Sequence, residues 1–304
     1  MNKIFRTSCI TRVGTSFCNY STNTSSNYCL DLVKRFDYEN FMAVLLLKNT
    51  SRSTALAVRS FNVELSRVTE QTSQVSTGQA RLQFWDDTIE ACFNTDVKKI
   101  PQHPVALEIY KAVNRSKLSK RYFKNLIKCR YDYLNRNFFI TLDEMEKYSE
   151  NTVSNLYYLI LEGCGMLDAQ SELVASHLGK AQGILNLLRG CIIARKLNFI
   201  SIPQELLVKH KVSDQSILNG VSSQKLNSCV SEVAGRAYEH LQKARHLSDK
   251  LPDNCAPVFL PAVTIDGYLT KLQVVNYDIF HPSLKRKPLL WLPKLIWYKY
   301  RNKY

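Results

Sequence analysis

The feature that most constrains this chain is the helical spacing of its apolar residues, which continues from residue 28 to residue 268 with few interruptions. Residues three and four apart share one face of a helix, so this spacing predicts amphipathic helices. Proline and glycine stand mostly between the periodic stretches, as helix breakers do. Residues 198–202 are the only short strand candidate, and no Pro- or Gly-rich linker divides the chain. The sequence therefore predicts one all-α domain, with helices over residues 28–47, 53–72, 77–93, 104–115, 117–134, 142–163, 168–191, 226–250 and 256–268.

The chain is strongly basic, with 41 Lys and Arg against 26 Asp and Glu and a formal net charge of +15. Such a surplus favours nucleic acid, an anionic membrane surface or an acidic protein as partner, although a basic protein without a specific target is equally compatible. Nucleic acid is disfavoured because the sequence contains no basic-aromatic platform or known module. Apolar runs are too short to span a bilayer. The nine cysteines form no CxxC pair, which indicates reduced thiols in a reducing compartment.

Residues 1–27 have the composition of a mitochondrial transit peptide. No acidic residue precedes Asp31, and Lys3, Arg6 and Arg12 are interspersed with hydroxyl and apolar side chains. A secretory signal would need a continuous apolar segment, which is missing. An N-terminus without a targeting role is the alternative.

Small residues recur in the helix predicted around residues 178–189, at Gly179, Ala181 and Gly183. Small side chains let another backbone or a ligand approach closely. Asn186 and Arg189 stand three apart and therefore share one face, where a buried polar group must find a hydrogen-bond partner. On spacing alone, a contact between helices is favoured over a ligand site.

This helix resembles the second conserved helix of the squalene/phytoene synthase family, L-G-x-A-x-Q-L-T-N-I-L-R-D. Leu178, Gly179, Ala181, Asn186, Leu188 and Arg189 match it in register. Residues 57–70 resemble the family's first conserved helix, anchored by Phe61. The resemblance implies an isoprenoid-synthase-like helical bundle over residues 28–283, in which Phe61, Gly179, Asn186 and Arg189 are retained family residues.

The departures from the family pattern bear on activity. In the family, aspartates on both helices face each other and hold Mg²⁺, which binds the substrate diphosphate; Mg²⁺ requires hard oxygen ligands. The corresponding positions here are Ser66, Arg67 and Glu70 on the first helix and Gly190, Ile193 and Ala194 on the second. We therefore expect no catalytic residue, no metal, no cofactor and no small-molecule substrate.

A further acidic motif, Asp86-Asp87-x-x-Glu90, has the residue spacing of an aspartate-rich metal site. In the family register this motif lies on the helix after the metal-binding one, and the sequence offers no second pair of carboxylates that would face it. We interpret it as a solvated helix face near a helix N-terminus, where acidic side chains favour the helix dipole.

The same losses characterise a mitochondrial branch of the family that assists assembly of respiratory complex I. Residues 175–184 and 278–284 resemble that branch. It implies a non-enzymatic factor acting at the matrix face of the inner membrane, with complex I subunits or assembly intermediates as partners. A lipid or isoprenoid carrier that keeps the old cavity, and a residual prenyl diphosphate transferase, are the alternatives.

The segment 284–304 is basic and aromatic, without an acidic residue. Such segments bind anionic bilayers peripherally, since Trp settles at headgroup depth and each basic residue adds about 1 kcal/mol. Pro293 predicts two short amphipathic pieces, and packing of the segment against the domain is the alternative. The predicted membrane contacts are Lys285, Arg286, Lys287, Trp291, Lys294, Trp297, Lys299 and Arg301.

Overall fold

A computed structural model of the chain describes residues 24–72, 74–94, 97–252, 254–285 and 291–304, and across these ranges it contains helices and no named strand. The predicted strand at residues 198–202 is reduced to one isolated bridge between Phe138 and Ile200. The α-helices are α1 (Ser25–Phe36), α2 (Tyr38–Val44), α3 (Asn49–Ser66), α4 (Val68–Gln71), α5 (Val75–Phe93), α6 (Pro104–Arg115), α7 (Lys120–Tyr133), α8 (Leu142–Ser149), α9 (Asn155–Cys164), α10 (Ala169–Gly190), α11 (Ala194–Leu197), α12 (Gln204–His210), α13 (Asp214–Leu218), α14 (Gln224–His246), α15 (Pro261–Val274) and α16 (Trp291–Tyr300).

Most predicted helices are present, but several of them are divided. The stretch 28–47 breaks at Asp37, whose carboxylate is used inside the protein: it pairs with Arg59 of α3 at 3.1 Å. The stretch 142–163 contains a π-helical turn, Glu150–Ser154, between α8 and α9. The first helix begins at Ser25, whose hydroxyl donates to Glu108, so the folded part extends into the segment predicted as a transit peptide.

Two glycines of α10 lie directly against the end of α8 and the π-helical turn that follows it. A Cβ on Gly179 would lie 2.5 Å from the Cα of Ser154, and a Cβ on Gly183 would lie 2.8 Å from the Cα of Ser149. Only glycine fits at such distances. The small residues of α10 therefore allow a neighbouring backbone to approach closely, as a contact between helices requires.

An aromatic cluster joins α3, α5 and α7. Phe61 is fully buried and meets Trp85 edge-on at 5.5 Å between ring centroids and Phe123 at 5.4 Å. Edge-to-face pairs of this kind add about 0.5–1.5 kcal/mol beyond the burial of their area. Phe61 therefore acts as a packing residue at the core of the bundle.

The C-terminal helix α16 lies against the domain. Trp291 and Leu295 are buried with Ala43 of α2 and Val263 of α15, and the Trp291 Nε1–H donates to the Thr264 hydroxyl at 3.0 Å. Pro293 does not divide the segment. It falls in the first turn of α16, where its missing N–H has no partner to lose.

Candidate functional site

The positions predicted to correspond to the family's metal ligands do come together. Ser66 and Glu70 lie at the end of α3 and on α4, and α11 follows closely after α10 on the facing side. An ion pair bridges the two groups: the Lys196 ammonium of α11 lies 3.6 Å from the Glu70 carboxylate. An ion pair therefore lies at the place where the resemblance implies two groups of carboxylates that face each other.

The other side chains on the first side are engaged with their own surroundings. The Ser66 hydroxyl donates to the Val63 carbonyl at 3.0 Å. The Arg67 guanidinium lies 3.9 Å from the centre of the Phe36 ring, a cation–π contact. Neither side chain presents an anionic oxygen to a cation.

On the second side, Gly190, Ile193 and Ala194 supply no oxygen ligand from their side chains. Ala194 is buried, whereas Ile193 is 40% exposed. Glu70 is thus the single carboxylate among the six positions, and it is paired with a lysine. This donor set does not fit a Mg²⁺–diphosphate group, which needs several hard oxygen ligands on both sides.

Two acids of the Asp86-Asp87-Glu90 motif pair with lysines of α7, whereas Asp87 accepts from the Gln83 amide at 2.9 Å. The Lys124 ammonium lies 2.8 Å from Asp86 and 2.7 Å from Glu90, and Lys120 also bonds Glu90. The motif lies in the C-terminal half of α5, so the interpretation as a helix N-terminus is wrong; lysines and not the helix dipole stabilise Asp86 and Glu90. Within the described ranges, no group of three or more His, Cys, Asp and Glu is arranged to hold a metal ion.

Arg189 and Asn186 have different environments in the structure. The Arg189 guanidinium donates to the Glu39 carboxylate at 2.7 Å and lies 4.2 Å from the centre of the Tyr268 ring. Arg189 therefore has a carboxylate as its hydrogen-bond partner. Asn186 is exposed, so the expectation that it would be a buried polar anchor is wrong.

A buried polar chain crosses the bundle, and the sequence analysis missed it. From Arg59 and Asp37 it continues through Asn40, which donates to Asp37 at 2.6 Å and accepts from Gln182 at 2.9 Å. The Tyr157 hydroxyl then donates to Gln182 at 2.6 Å. The chain links α2, α3, α9 and α10 through residues far apart in sequence, so no local pattern could reveal it.

A second missed cluster joins α8, α10 and α14. The Nδ1 atoms of His177 and His240 lie 2.9 Å apart, and His240 Nε2 lies 3.2 Å from the Glu146 carboxylate. Burial would raise the pKa of Glu146, but hydrogen bonds from Arg236 and His240, together with Lys180, lower it to about 2. Burial, together with the neighbouring His240 and Lys180, lowers the pKa of His177 to about 4.

The squalene/phytoene synthase model matches residues 33–291, which is most of the chain. The chain belongs to the squalene/phytoene synthase family. Among curated relatives it is similar to the NADH dehydrogenase (ubiquinone) complex I, assembly factor 6 of Bos taurus, with 37% identity over 280 residues that cover 92% of this chain and 83% of the relative. The Drosophila melanogaster homolog of that factor is 37% identical over 283 residues, covering 92% and 84%.

The family fold is also found among solved structures. Squalene synthase HpnC from Alicyclobacillus acidocaldarius superposes with a TM-score of 0.72 at 16% identity, covering 83% of this chain and 94% of the synthase. At that identity the likeness shows the fold alone. The predicted family and its all-α, single-domain architecture are thus confirmed.

The residues predicted as membrane contacts differ in their burial. Trp291 is buried at the start of α16, so its prediction as a membrane contact is wrong: it fills a gap between α2 and α15. Lys285, Lys294, Lys299 and Arg301 are exposed, and Trp297 is 57% exposed. Arg286 and Lys287 lie outside the described residues. Within the part of the chain that the structure describes, no helix has the length and apolar character needed to cross a bilayer.

Proposed function

We propose that this protein is a non-enzymatic assembly factor for mitochondrial respiratory complex I. The observation that carries the assembly role is the match to relatives named complex I assembly factor 6, which spans nearly the whole of this chain and most of each relative. The ion pair between Glu70 and Lys196 supports the absence of catalysis, because a lysine occupies the only carboxylate left at the metal positions.

Complementation of cells that lack the endogenous protein tests this proposal. The wild-type chain and a Glu70→Ala/Asp86→Ala variant are expressed, and complex I is measured on blue-native gels beside complexes III and IV. We expect both chains to restore complex I alone. Failure of the wild-type chain to restore complex I contradicts the assembly role. Failure of the variant alone, at wild-type abundance, contradicts a metal-independent function.

Activity of the purified protein is the second test. Incubated with Mg²⁺ and prenyl diphosphates, the chain should give no condensation product, whereas a squalene synthase assayed in parallel gives one. Calorimetry with Mg²⁺ and inorganic diphosphate should show no stoichiometric binding. A condensation product would establish a residual transferase, and a saturable Mg²⁺-dependent complex would show that the site still functions.

We propose further that the protein acts at the matrix face of the inner membrane and contacts it through the outer face of α16. Ile296, Trp297 and Tyr300 are 59%, 57% and 84% exposed. Tyr300 follows Ile296 by four positions and Trp297 by three, so its side chain neighbours both of theirs, away from the buried Trp291 and Leu295. Exposed aromatic residues beside basic ones are typical of peripheral contact with an anionic bilayer.

Fractionation of mitochondria tests the membrane contact. An Ile296→Ser/Trp297→Ser variant should move from the membrane to the matrix fraction while its melting temperature stays near the wild-type value. The matched control is Val274→Ser, at a residue that is 77% exposed on α15. Retention of the double variant on the membrane contradicts the contact through α16.

A further inference from the structure

Exposed apolar side chains lie around the positions assigned to the family's metal ligands. Phe36, the last residue of α1, and Ile192, in the turn that follows α10, are each 42% exposed, and Ile193 beside it is 40% exposed. A large apolar side chain loses free energy when it stays in water, so several of them on one surface indicate a contact with another molecule. These three residues define the apolar part of a candidate docking surface.

Contacts between helix ends join the three residues into one surface. The Arg67 guanidinium, directly before α4, lies 3.9 Å from the centre of the Phe36 ring. The ion pair between Glu70 and Lys196 holds α4 against α11. Ile193 precedes Lys196 by three positions, so the two side chains are neighbours on that short helical segment. Phe36 and the isoleucines therefore lie on either side of the same ion pair.

The charged residues of the docking surface are mainly cationic. Arg35 lies 5.1 Å from the centre of the Phe36 ring, and Arg195 follows Ile192 by three positions. Within the part of the chain that the structure describes, Arg195 forms no ion pair. The helix ends that form the surface carry the cations Lys34, Arg35, Arg67, Arg195 and Lys196 and the acids Asp31, Glu64 and Glu70. The surplus of positive charge favours an acidic partner.

A pocket of about 270 Å³ opens beside Ile192, between α2, α15 and the beginning of α16. The rings of Tyr268 and Trp291 form apolar walls, whereas Arg189 and Glu39 in the wall pair with each other at 2.7 Å. The volume lies just below the ~300–1,000 Å³ of pockets for drug-sized ligands. The pocket therefore has room for one large side chain of a partner protein, and its apolar walls favour an aromatic or aliphatic one.

We propose that the docking surface binds an acidic segment of a partner protein, and that one large apolar side chain of this segment enters the pocket beside Ile192. Protein interfaces are commonly organised in this way: an aromatic or aliphatic anchor fills a pocket, arginine is enriched, and charged residues at the rim select the partner. The pocket lies on the Trp291 side of α16, so the partner leaves the outer face around Trp297 free for the membrane. The inference rests on the proposed assembly role and deepens it, because it gives that role a contact surface and a kind of partner segment.

Recovery of complex I subunits with the full chain tests the charged part of the surface. Tagged chains are expressed in cells that lack the endogenous protein and are immunoprecipitated from solubilised mitochondria, and the complex I subunits bound to them are quantified. The pair Arg35→Glu/Arg195→Glu should lower this recovery about tenfold or more, because like charges then face the acidic segment. The pair Arg35→Lys/Arg195→Lys, which keeps the charge, should retain most of it.

The matched control for charge reversal is Lys117→Glu. Lys117 is exposed in the loop after α6, close to Arg115, which donates to Thr54 in the first turns of α3. The docking surface adjoins the other end of α3, at Ser66. Recovery with this control should equal that of the wild type. Because both arginines of the test pair stand in the last turn of a helix, where the dipole favours cations, the melting temperature of each variant is measured as well.

Filling the pocket tests the apolar anchor. A Cβ on Gly267 of α15 would meet no atom within 4 Å, so Gly267→Phe places its ring in the pocket without displacing the backbone. Recovery should fall about tenfold or more, as it does when an interface loses a buried anchor. Val274→Phe, at a residue of the same helix that is 77% exposed, should have no effect. If Gly267→Phe does not melt as the wild type does, Ile192→Ser replaces it, and its recovery should fall as well.

Unchanged recovery by the charge-reversal pair, or by a folded chain whose pocket is filled, would overturn the proposal. Two other occupants would overturn it too. A second copy of this chain would appear as co-precipitation of a differently tagged copy that the variants abolish, and the bilayer would appear as release of the variants from the membrane fraction. Blue-native gels of the same cells separate the docking surface from the assembly role: if every variant restores complex I as the wild type does, the surface is wrong and the role stands, whereas failure of the wild-type chain contradicts the role itself.

Discussion

The paired histidines of α10 and α14 make stability depend on pH in a defined direction. The Glu146 carboxylate only accepts and lies 3.2 Å from His240 Nε2, so its charge favours the His240 tautomer that carries the proton on Nε2. The Nδ1 of His240 then accepts from the Nδ1–H of His177. Both rings are neutral in this arrangement, and a second proton on His177 has no acceptor within the pair.

The magnitude follows from the pKa of His177, which burial and the nearby charges lower from 6.5 to about 4. Each unit of pKa difference between the folded and unfolded states is worth about 1.4 kcal/mol, which sets an upper bound of about 3 kcal/mol. Partial exposure of the ring reduces this to about 2 kcal/mol. Since the folded-state pKa is depressed, this stability is fully present above about pH 6.5 and is lost as the pH falls to about 4.

Urea unfolding at a series of pH values measures the effect. The wild-type free energy of unfolding should fall by about 2 kcal/mol more than that of His177→Gln between about pH 7 and about pH 4. His246→Gln, at an exposed position on the same helix as His240, should keep the wild-type slope. Equal slopes for the wild type and His177→Gln would refute the neutral histidine pair.

The remaining predictions concern stability measured by urea unfolding. Gly183→Ala should destabilise the protein by about 1–3 kcal/mol, because its Cβ would lie 2.4 Å from the Ser149 Cβ. Gly190→Ala, whose Cβ meets nothing within 4 Å, should stabilise it by up to about 1 kcal/mol through helix propensity; a loss there would contradict the open space. Arg189→Ala should cost about 1 kcal/mol, because it removes the partly exposed pair with Glu39, and an unchanged midpoint would mean that the pair contributes nothing. Leu295→Ala should cost about 2–5 kcal/mol and Ile296→Ala less than about 0.5 kcal/mol, and equal losses would contradict the packing of α16.

The helical class could be predicted because local spacing carries it. Each long helix has an apolar face that shows in the sequence alone, and the small residues of α10 indicated a close approach. The division at Asp37 could not be predicted. The helical spacing of apolar residues continues past Asp37, so it gives no sign of a break. Arg59, the partner of the Asp37 carboxylate, lies 22 positions away.

Short elements escaped the sequence analysis for a different reason. Gln204–His210 and Asp214–Leu218 are helices of seven and five residues, too short for periodicity to be seen. The segment after residue 290 was misjudged because Pro293 was taken as a break, although proline is tolerated in the first turn of a helix. Its buried Trp291 and Leu295 depend on a gap between α2 and α15 that only the folded structure defines.

The candidate site could be predicted only in part. Its residue types can be read in the sequence, whereas its contacts join residues that are far apart in the chain. The identities at the six assigned metal positions follow from register alone, and register also shows that Glu70 is the single carboxylate among them. The contact between Glu70 and Lys196 spans the facing helices and needed the structure. The histidine pair, 63 positions apart, needed it equally.

The same geometry explains how a synthase fold tolerates the change that we assign to it. Carboxylates facing each other repel unless a metal ion lies between them, so a site that no longer binds metal is more stable without them. Ser66, Glu70 and Ile193 lie at exposed helix ends, where substitution leaves the packing of the bundle intact. The contacts that hold the bundle, the close approach at Gly179 and Gly183 and the rings around Phe61, lie elsewhere. The substitution of the metal positions that we propose would therefore leave the packing of the bundle intact, as an assembly factor that keeps this fold requires.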